Sequence, residues 1–189
     1  KRKPPFSDTH FLKHAFLSAL IAQKLAQYLK LDAGEAFLAG LMRDIGVYLL
    51  ATEDRDKYLE VIKETDFDIS KLPQAENKMF GTYHALMSAR LLQEWTFPNE
   101  VLMGVAFHHN PEKADPRFQP FAYLTFLAEH AVFRLGFDNG IADILESEIR
   151  EQILSDGMHF ERSPMYHLRV TSILANLLNI DYPDLSDLV

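Results

Sequence analysis

The chain has 189 residues, 48% of them hydrophobic and 24% charged, with a formal net charge of −8 at pH 7. This length suits one substantial hydrophobic core, so we expect a single domain over residues 1–189. The negative charge disfavours partners such as nucleic acid or anionic lipid, and the lack of cysteine excludes thiolate metal sites. No apolar run reaches the roughly 18 residues that cross a bilayer. Composition therefore predicts a cytoplasmic protein without membrane contact, and the start at Lys1 is typical of an excised or processed piece of a longer product.

Apolar residues recur at intervals of three and four along most of the chain, which predicts helices and no sheet. The first helix covers residues 8–29. Asp32 and Glu35 resemble a capping box that opens a second helix, which runs through Tyr48 and carries Asp44 on its inner face. A charged helix follows over residues 53–64.

Proline marks the predicted boundaries in the middle of the sequence. Pro73, as a first-turn proline, opens one long helix that carries His84 and reaches Trp95, for which we expect core packing. Asn99 is the predicted cap of a short helix that reaches His109. The proline two residues later then ends that helix.

The last third of the sequence continues the helical pattern. An apolar helix is predicted over about residues 121–135, a turn at 138–140, and two further helices near 143–154 and 164–178. The fold class expected from the whole pattern is all-α.

An Arg-Asp pair, Arg43-Asp44, interrupts an apolar stripe, and three histidines follow it at His84, His108 and His109. A buried carboxylate is costly unless a cation or strong donors compensate it, so Asp44 needs a partner. Neutral imidazoles with one carboxylate suit iron, manganese or zinc. Adjacent histidines at a helix end are able to turn toward one ion, although neighbouring helix positions point about 100° apart. Asp44 and the three histidines are therefore the candidate metal ligands.

The alternative is that each histidine is an ordinary packed residue and that Asp44 pairs with an imidazole or with Arg90. Sequence spacing alone does not show that side chains converge in space. Both interpretations stay open on the residues alone.

Five short motifs occur in a fixed order along about two thirds of the chain. They are His14, Arg43-Asp44-Ile45-Gly46, Phe80-Gly81-Thr82-Tyr83-His84, Trp95-Thr96-Phe97-Pro98 and His108-His109-Asn110-Pro111. This ordered set resembles the HD-domain superfamily, and most of all its HDOD branch, the HD-related output domains of bacterial signalling proteins. The resemblance implies an HD-like multi-helix bundle with a motif-bearing core over about residues 8–136 and C-terminal helices over about 140–180.

In active HD phosphohydrolases, the resemblance implies a first metal site made by an early histidine, a His-Asp doublet and a later aspartate. His14 and Asp44 match this set, but Arg43 replaces the doublet's histidine. Glu129 and His130 lie near the position where the late aspartate is expected. A permanent guanidinium charge opposes a metal ion at that position. We expect Arg43 either to pair with Glu129 or to extend into solvent.

A second metal position is known in the related HD-GYP phosphodiesterases, which cleave cyclic dinucleotides. By resemblance it corresponds to Asp44, His84, His108 and His109, although Asn110-Pro111-Glu112-Lys113 stands where the Gly-Tyr-Pro signature is expected. A single divalent iron, manganese or zinc ion would act there as a structural clip, and we expect no required cofactor.

The leading hypothesis is a catalytically degenerate HDOD-type signalling domain that binds signalling proteins or senses a small, nucleotide-like ligand in a remnant pocket. Hydrolysis is expected to be absent or vestigial, because two-metal phosphodiester hydrolysis needs the second ion. The alternative is a metal-dependent phosphohydrolase of nucleotides or cyclic dinucleotides in which His130 or Glu129 compensates for Arg43. A helical module without any ligand is a third hypothesis.

Overall fold

A computed structural model describes residues 4–65, 68–137 and 139–141. Those residues form a bundle of eight α-helices with two short 3-10 helices and no strand, which confirms the all-α prediction. The α-helices are α1 (Asp8–Leu29), α2 (Ala33–Met42), α3 (Ile45–Glu53), α4 (Arg55–Glu64), α5 (Leu72–Phe80), α6 (His84–Glu94), α7 (Asn99–Ala106) and α8 (Gln119–Arg134). The 3-10 helices are Ile69–Lys71 and Pro111–Lys113. The helices predicted near 143–154 and 164–178 lie outside the described residues.

The longest helix, α1, packs against α2 and α8, while α3 packs against α6, and α7 against α2, α6 and α8. Small apolar residues line the α1, α2 and α8 contact, where a cluster of Ala22, Ala26, Ala36 and Ala128 lets the helices approach closely. Within the described part of the chain, no helix has the length and apolar character needed to cross a membrane.

The helix predicted to run from residue 33 through Tyr48 is two helices, so that prediction is wrong. Asp32 caps α2 as expected, because its Oδ1 accepts a hydrogen bond from the Glu35 N–H at 2.8 Å. The helical path then breaks at Arg43–Asp44, where Asp44 has φ −101° and ψ 7°. The break turns the pair inward at the corner between α2 and α3.

Ser88, on α6, stabilises this corner. Its hydroxyl donates to the Arg43 carbonyl at 2.7 Å and accepts from the Gly46 N–H at 2.8 Å. One buried side chain thereby satisfies two backbone groups that the interrupted helix leaves unpaired.

Replacing Ser88 with alanine is expected to lower the free energy of unfolding by about 1–3 kcal/mol, because two buried backbone groups lose their partner. Urea unfolding measures the change. Ser18→Ala is the matched control, since Ser18 is also fully buried but its hydroxyl has no hydrogen-bond partner among the described residues. Equal losses in the two variants would contradict the role given to Ser88.

The long helix predicted from Pro73 to Trp95 is also two helices. Pro73 lies in the first turn of α5 as predicted. Gly81 then adopts φ 70°, the left-handed conformation that ends helices and that glycine accepts at little cost. The corner places His84 in the first turn of α6.

Three further local predictions are wrong. Trp95 is 52% exposed, because α6 ends at Glu94 and the side chain leaves its buried face. Asn99 is the first residue of α7 rather than its cap, since Pro98 holds the cap position and no side chain caps the helix. Helix α7 ends at residue 106, so His109 lies in the following turn.

Candidate functional site

Several elements bring the candidate residues into one interior region. Their sources are α1 (His14), the α2–α3 corner (Arg43, Asp44), α6 (His84), the turn after α7 (His108, His109) and α8 (Glu129). All are buried except His109, which is half-buried. His130, also on α8, is exposed, donates its Nδ1 proton to the Phe126 carbonyl at 2.9 Å, and belongs to neither group of clustered metal donors among the described residues.

His84, His108 and His109 each offer a ring nitrogen, and these nitrogens lie within 4.8 Å of one another. The Nε2 atoms of His84 and His109 are 2.7 Å apart. Asp44 Oδ1 lies 3.6 Å from His108 Nε2 and 3.9 Å from His84 Nε2. Three nitrogens and one oxygen therefore converge, a donor set that fits one transition-metal ion.

Glu76, a fully buried residue of α5, orients His84 and was not identified from the sequence. Its Oε2 lies 2.6 Å from His84 Nδ1 and accepts the His84 backbone N–H at 2.8 Å. Its Oε1 accepts the hydroxyl of Tyr58 at 2.7 Å. The available signal was weak: a carboxylate eight residues before a histidine, on the face of α5 that also carries Ala75 and Leu72.

A second set of donors, His14, Asp44 and Glu129, also has ligand atoms within 4.8 Å of one another. The Arg43 guanidinium lies among them, with Nη2 2.8 Å from Asp44 Oδ2 and 3.7 Å from Glu129 Oε1. Arg43 is 1% exposed, which excludes the solvent-exposed interpretation of this side chain. The pair with Glu129 is present as predicted, and the shorter contact is with Asp44. Arg90, the alternative partner for Asp44, is exposed.

Several buried polar atoms in this region have no well-aligned hydrogen-bond partner among the described residues. They are the three guanidinium nitrogens of Arg43, His14 Nε2, His108 Nε2 and Glu129 Oε2. The close Arg43–Asp44 contact is therefore mainly ionic. The imidazole nitrogens and the carboxylate oxygen keep their lone pairs available as donors to a ligand or ion.

Burial and the guanidinium control the charges of these groups. Burial raises the pKa of Asp44, but Arg43 together with His108, His84 and His14 outweighs this effect and holds that pKa well below its ordinary value. Burial lowers the pKa of His108 to about 3, and it also lowers those of His14 and His109. These three rings are consequently neutral near pH 7, the state that binds metal. His84 differs: burial lowers its pKa, but the carboxylates of Glu76, Asp44 and Glu129 together outweigh burial, so the pKa is raised.

Acid is expected to destabilise the chelator-treated protein from about pH 6.5 downward. The pKa values of His14, His108 and His109 are lowered on folding, so below 6.5 the unfolded chain binds more protons than the folded chain. For each such proton, the free energy of unfolding falls by about 1.4 kcal/mol per pH unit until the pH reaches the folded-state pKa. The raised pKa of His84 acts oppositely, adding stability below 6.5 that is lost as pH rises through its folded value.

Urea unfolding between about pH 7 and pH 4.5 measures this dependence. His108→Asn removes one of the three histidines. The free energy of unfolding is then expected to change less steeply with pH, by the equivalent of about one bound proton. A free energy of unfolding that stays constant over this range would contradict the neutral, buried state assigned to these rings.

An open cavity of about 480 Å³ leads from solvent to this region, because His109 and Glu129 belong to its wall. The remaining wall is both aromatic and polar, and includes Phe126, His130, Phe133, Asp68, Ser70 and Gln74. A smaller adjoining cavity of about 270 Å³ shares His109 and adds Tyr83 and Lys113. Among the described residues of the larger cavity's wall there is no lysine or arginine.

Comparison with protein families gives two matches. The family model of the HDOD domain matches residues 1–111. The model named Heparinase II/III N-terminus matches residues 137–184, most of which lie outside the described residues. Among curated proteins, none is significantly similar in sequence to this chain.

Three solved structures share the fold. The Shewanella amazonensis SB2B protein named "Putative phosphohydrolase" is 21% identical, with 96% of this chain and 63% of that chain covered and a TM-score of 0.67. An HDOD domain protein from Geobacter sulfurreducens is 17% identical, with 94% and 55% covered and a TM-score of 0.63. The MmoQ response regulator from Methylococcus capsulatus is 24% identical, with 92% and 61% covered and a TM-score of 0.58. This chain thus spans about three fifths of the length of these proteins.

Proposed function

This chain belongs to the HDOD domain family, and from that membership we propose that it is a signalling domain whose hydrolytic centre is degenerate. It acts through contacts with signalling proteins or by sensing a small ligand in the remnant cavity. The name of one structural neighbour, the response regulator from Methylococcus capsulatus, supports the general role.

The observation that carries the proposal is the position of Arg43. Its Nη2 lies 2.8 Å from Asp44 Oδ2 and 3.7 Å from Glu129 Oε1. With His14, these two carboxylates form the donor group that we assign, from the family resemblance, to the first metal ion of an active HD site. Two unit positive charges about 4 Å apart repel by about 4 kcal/mol at an effective dielectric of 20, and a divalent ion doubles that cost. The guanidinium therefore provides one positive charge to the two carboxylates in place of a metal ion.

The remaining donors support at most one ion. His84, His108 and His109, with Asp44 beside them, are suited to one iron, manganese or zinc ion. Such an ion would join α6 to the turn after α7. The fold does not require it, because Arg43 already compensates the buried carboxylates of Asp44 and Glu129.

The residues of the cavity wall indicate which kind of ligand it would bind. Aromatic rings of Phe126 and Phe133 offer apolar contact, while the described wall lacks the cationic side chains that recognise phosphate. This wall therefore suits the aromatic or apolar part of a small ligand.

Metal analysis and turnover assays of the purified protein test the proposal. With manganese or iron added, we expect no more than one ion per chain and no hydrolysis of bis(p-nitrophenyl) phosphate or of a cyclic dinucleotide. Arg43→His restores the replaced ligand type and is expected to add a second ion. Two ions in the wild-type protein, with hydrolysis that Asp44→Ala abolishes, would overturn degeneracy and establish the phosphohydrolase.

A further inference from the structure

The buried contact between Glu76 and His84 fixes the direction in which His84 presents its ring. A carboxylate only accepts hydrogen bonds, so the 2.6 Å contact places the proton on His84 Nδ1. The other nitrogen, Nε2, is then the one left to act as a ligand, and its hydrogen-bond partner is another candidate ligand. It is this nitrogen that faces His109 Nε2 at 2.7 Å and Asp44 Oδ1 at 3.9 Å.

The other buried histidines follow the same pattern with backbone partners. His108 Nδ1 lies 2.7 Å from the Val105 carbonyl, and His14 Nδ1 lies 2.9 Å from the Phe137 carbonyl. Both carbonyls accept the Nδ1 proton and leave Nε2 free. His84 differs because its partner is a charged side chain, which raises the electron density of the ring and its strength as a ligand.

Glu76 is itself held in place from both sides. Its Oε2 accepts two hydrogen bonds from His84, one from the backbone and one from the ring, and its Oε1 accepts one from Tyr58. Both Glu76 and Tyr58 are 0% exposed. A carboxylate with both oxygens occupied and no contact with solvent has one orientation, so it imposes one orientation on the ring.

We propose that Glu76 is a positioning residue that presents His84 Nε2 to a divalent transition-metal ion bound by His84, His108 and His109. This inference rests on the single-ion part of the proposed function. Glu76 does not contact the ion and acts only through the imidazole of His84.

Zinc affinity of the full chain, measured by competition with a chelator, tests the inference in wild-type protein and in three variants. Glu76→Gln keeps the shape but removes the charge, and is expected to weaken zinc binding by about 10–100-fold. Tyr58→Phe removes one hydrogen bond to the carboxylate and is expected to cause a smaller loss. Glu94→Gln, at an exposed position on α6, is the matched control and is expected to leave affinity unchanged.

A long-range ¹H–¹⁵N spectrum of the zinc-loaded protein provides a second readout, and we expect the His84 proton on Nδ1. Tyr58→Phe keeps the test valid if Glu76→Gln does not fold. Unchanged zinc affinity in a folded Glu76→Gln variant, or a proton on His84 Nε2, would overturn the positioning role and leave the proposed function intact. Wild-type protein that binds no zinc, iron or manganese would overturn the single-ion site as well.

Discussion

Replacing Arg43 with alanine is expected to lower the free energy of unfolding by about 3–5 kcal/mol, because Asp44 and Glu129 would remain buried without a cation. The three side chains are 8% exposed or less, so solvent cannot compensate the lost charge. Added manganese or zinc is expected to recover part of the loss by occupying the space next to His14. Urea unfolding with and without the metal measures both effects.

The matched control is Arg55→Ala. Arg55 also contacts the aspartate that follows it, Asp56, at 3.7 Å, but its side chain is 47% exposed. Exposed pairs of this kind contribute about 0–1 kcal/mol, so the control is expected to unfold nearly as the wild-type protein does. Similar losses for Arg43→Ala and Arg55→Ala would contradict the role of Arg43 as a substitute for a metal ion.

Replacing Gly46 with alanine is expected to cost about 3 kcal/mol or more, or to prevent folding, because a methyl group has no space there. A Cβ atom at Gly46 would lie 2.8 Å from the carbonyl carbon of His84 and closer still to its oxygen. The backbone of α6 would have to move away from the α2–α3 corner. Such a movement would displace His84 from Asp44, so the variant is also expected to lose zinc affinity.

Gly34→Ala provides the comparison for thermal and urea unfolding. A Cβ atom at Gly34 would meet only Asp32 Oδ1, at 3.2 Å, so this capping atom would need to move by only a few tenths of an ångström. Alanine is also favoured over glycine in helices by about 1 kcal/mol, so stability is expected to change by no more than that amount. A Gly46→Ala protein as stable as Gly34→Ala would show that the close contact of α3 with α6 is not required.

Much of the helical framework was predictable because local signals agreed with the final packing. Helix α1 has the predicted bounds Asp8–Leu29, since apolar residues recur at helical intervals after the Ser7 cap. The capping role of Asp32 was predictable for the same reason: its partner, Glu35, is three residues away. Features that depend on neighbours in sequence are accessible to sequence reasoning.

The helix break at Arg43 and the role of Glu76 were not predictable, because both depend on contacts with residues distant in sequence. The corner at Arg43 is stabilised by Ser88, 45 residues later, and an isolated serine in a helical pattern gives no sign of that contact. Glu76 reads as one more charged residue on a surface helix. Its burial depends on Tyr58 and on the left-handed turn at Gly81. That turn changes the chain direction, so that Glu76 on α5 contacts His84 at the start of α6.

The contacts that position the histidines differ greatly in chain separation, and this has a consequence for the order of folding. The Glu76–His84 contact closes a loop of eight residues, whereas the contact between His14 and Phe137 spans 123 residues. Short loops close with less entropy loss and faster than long ones. We therefore expect the corner between α5 and α6 to form early in refolding and α1 to dock on α8 near the end, so that His14 is the last imidazole to reach the interior.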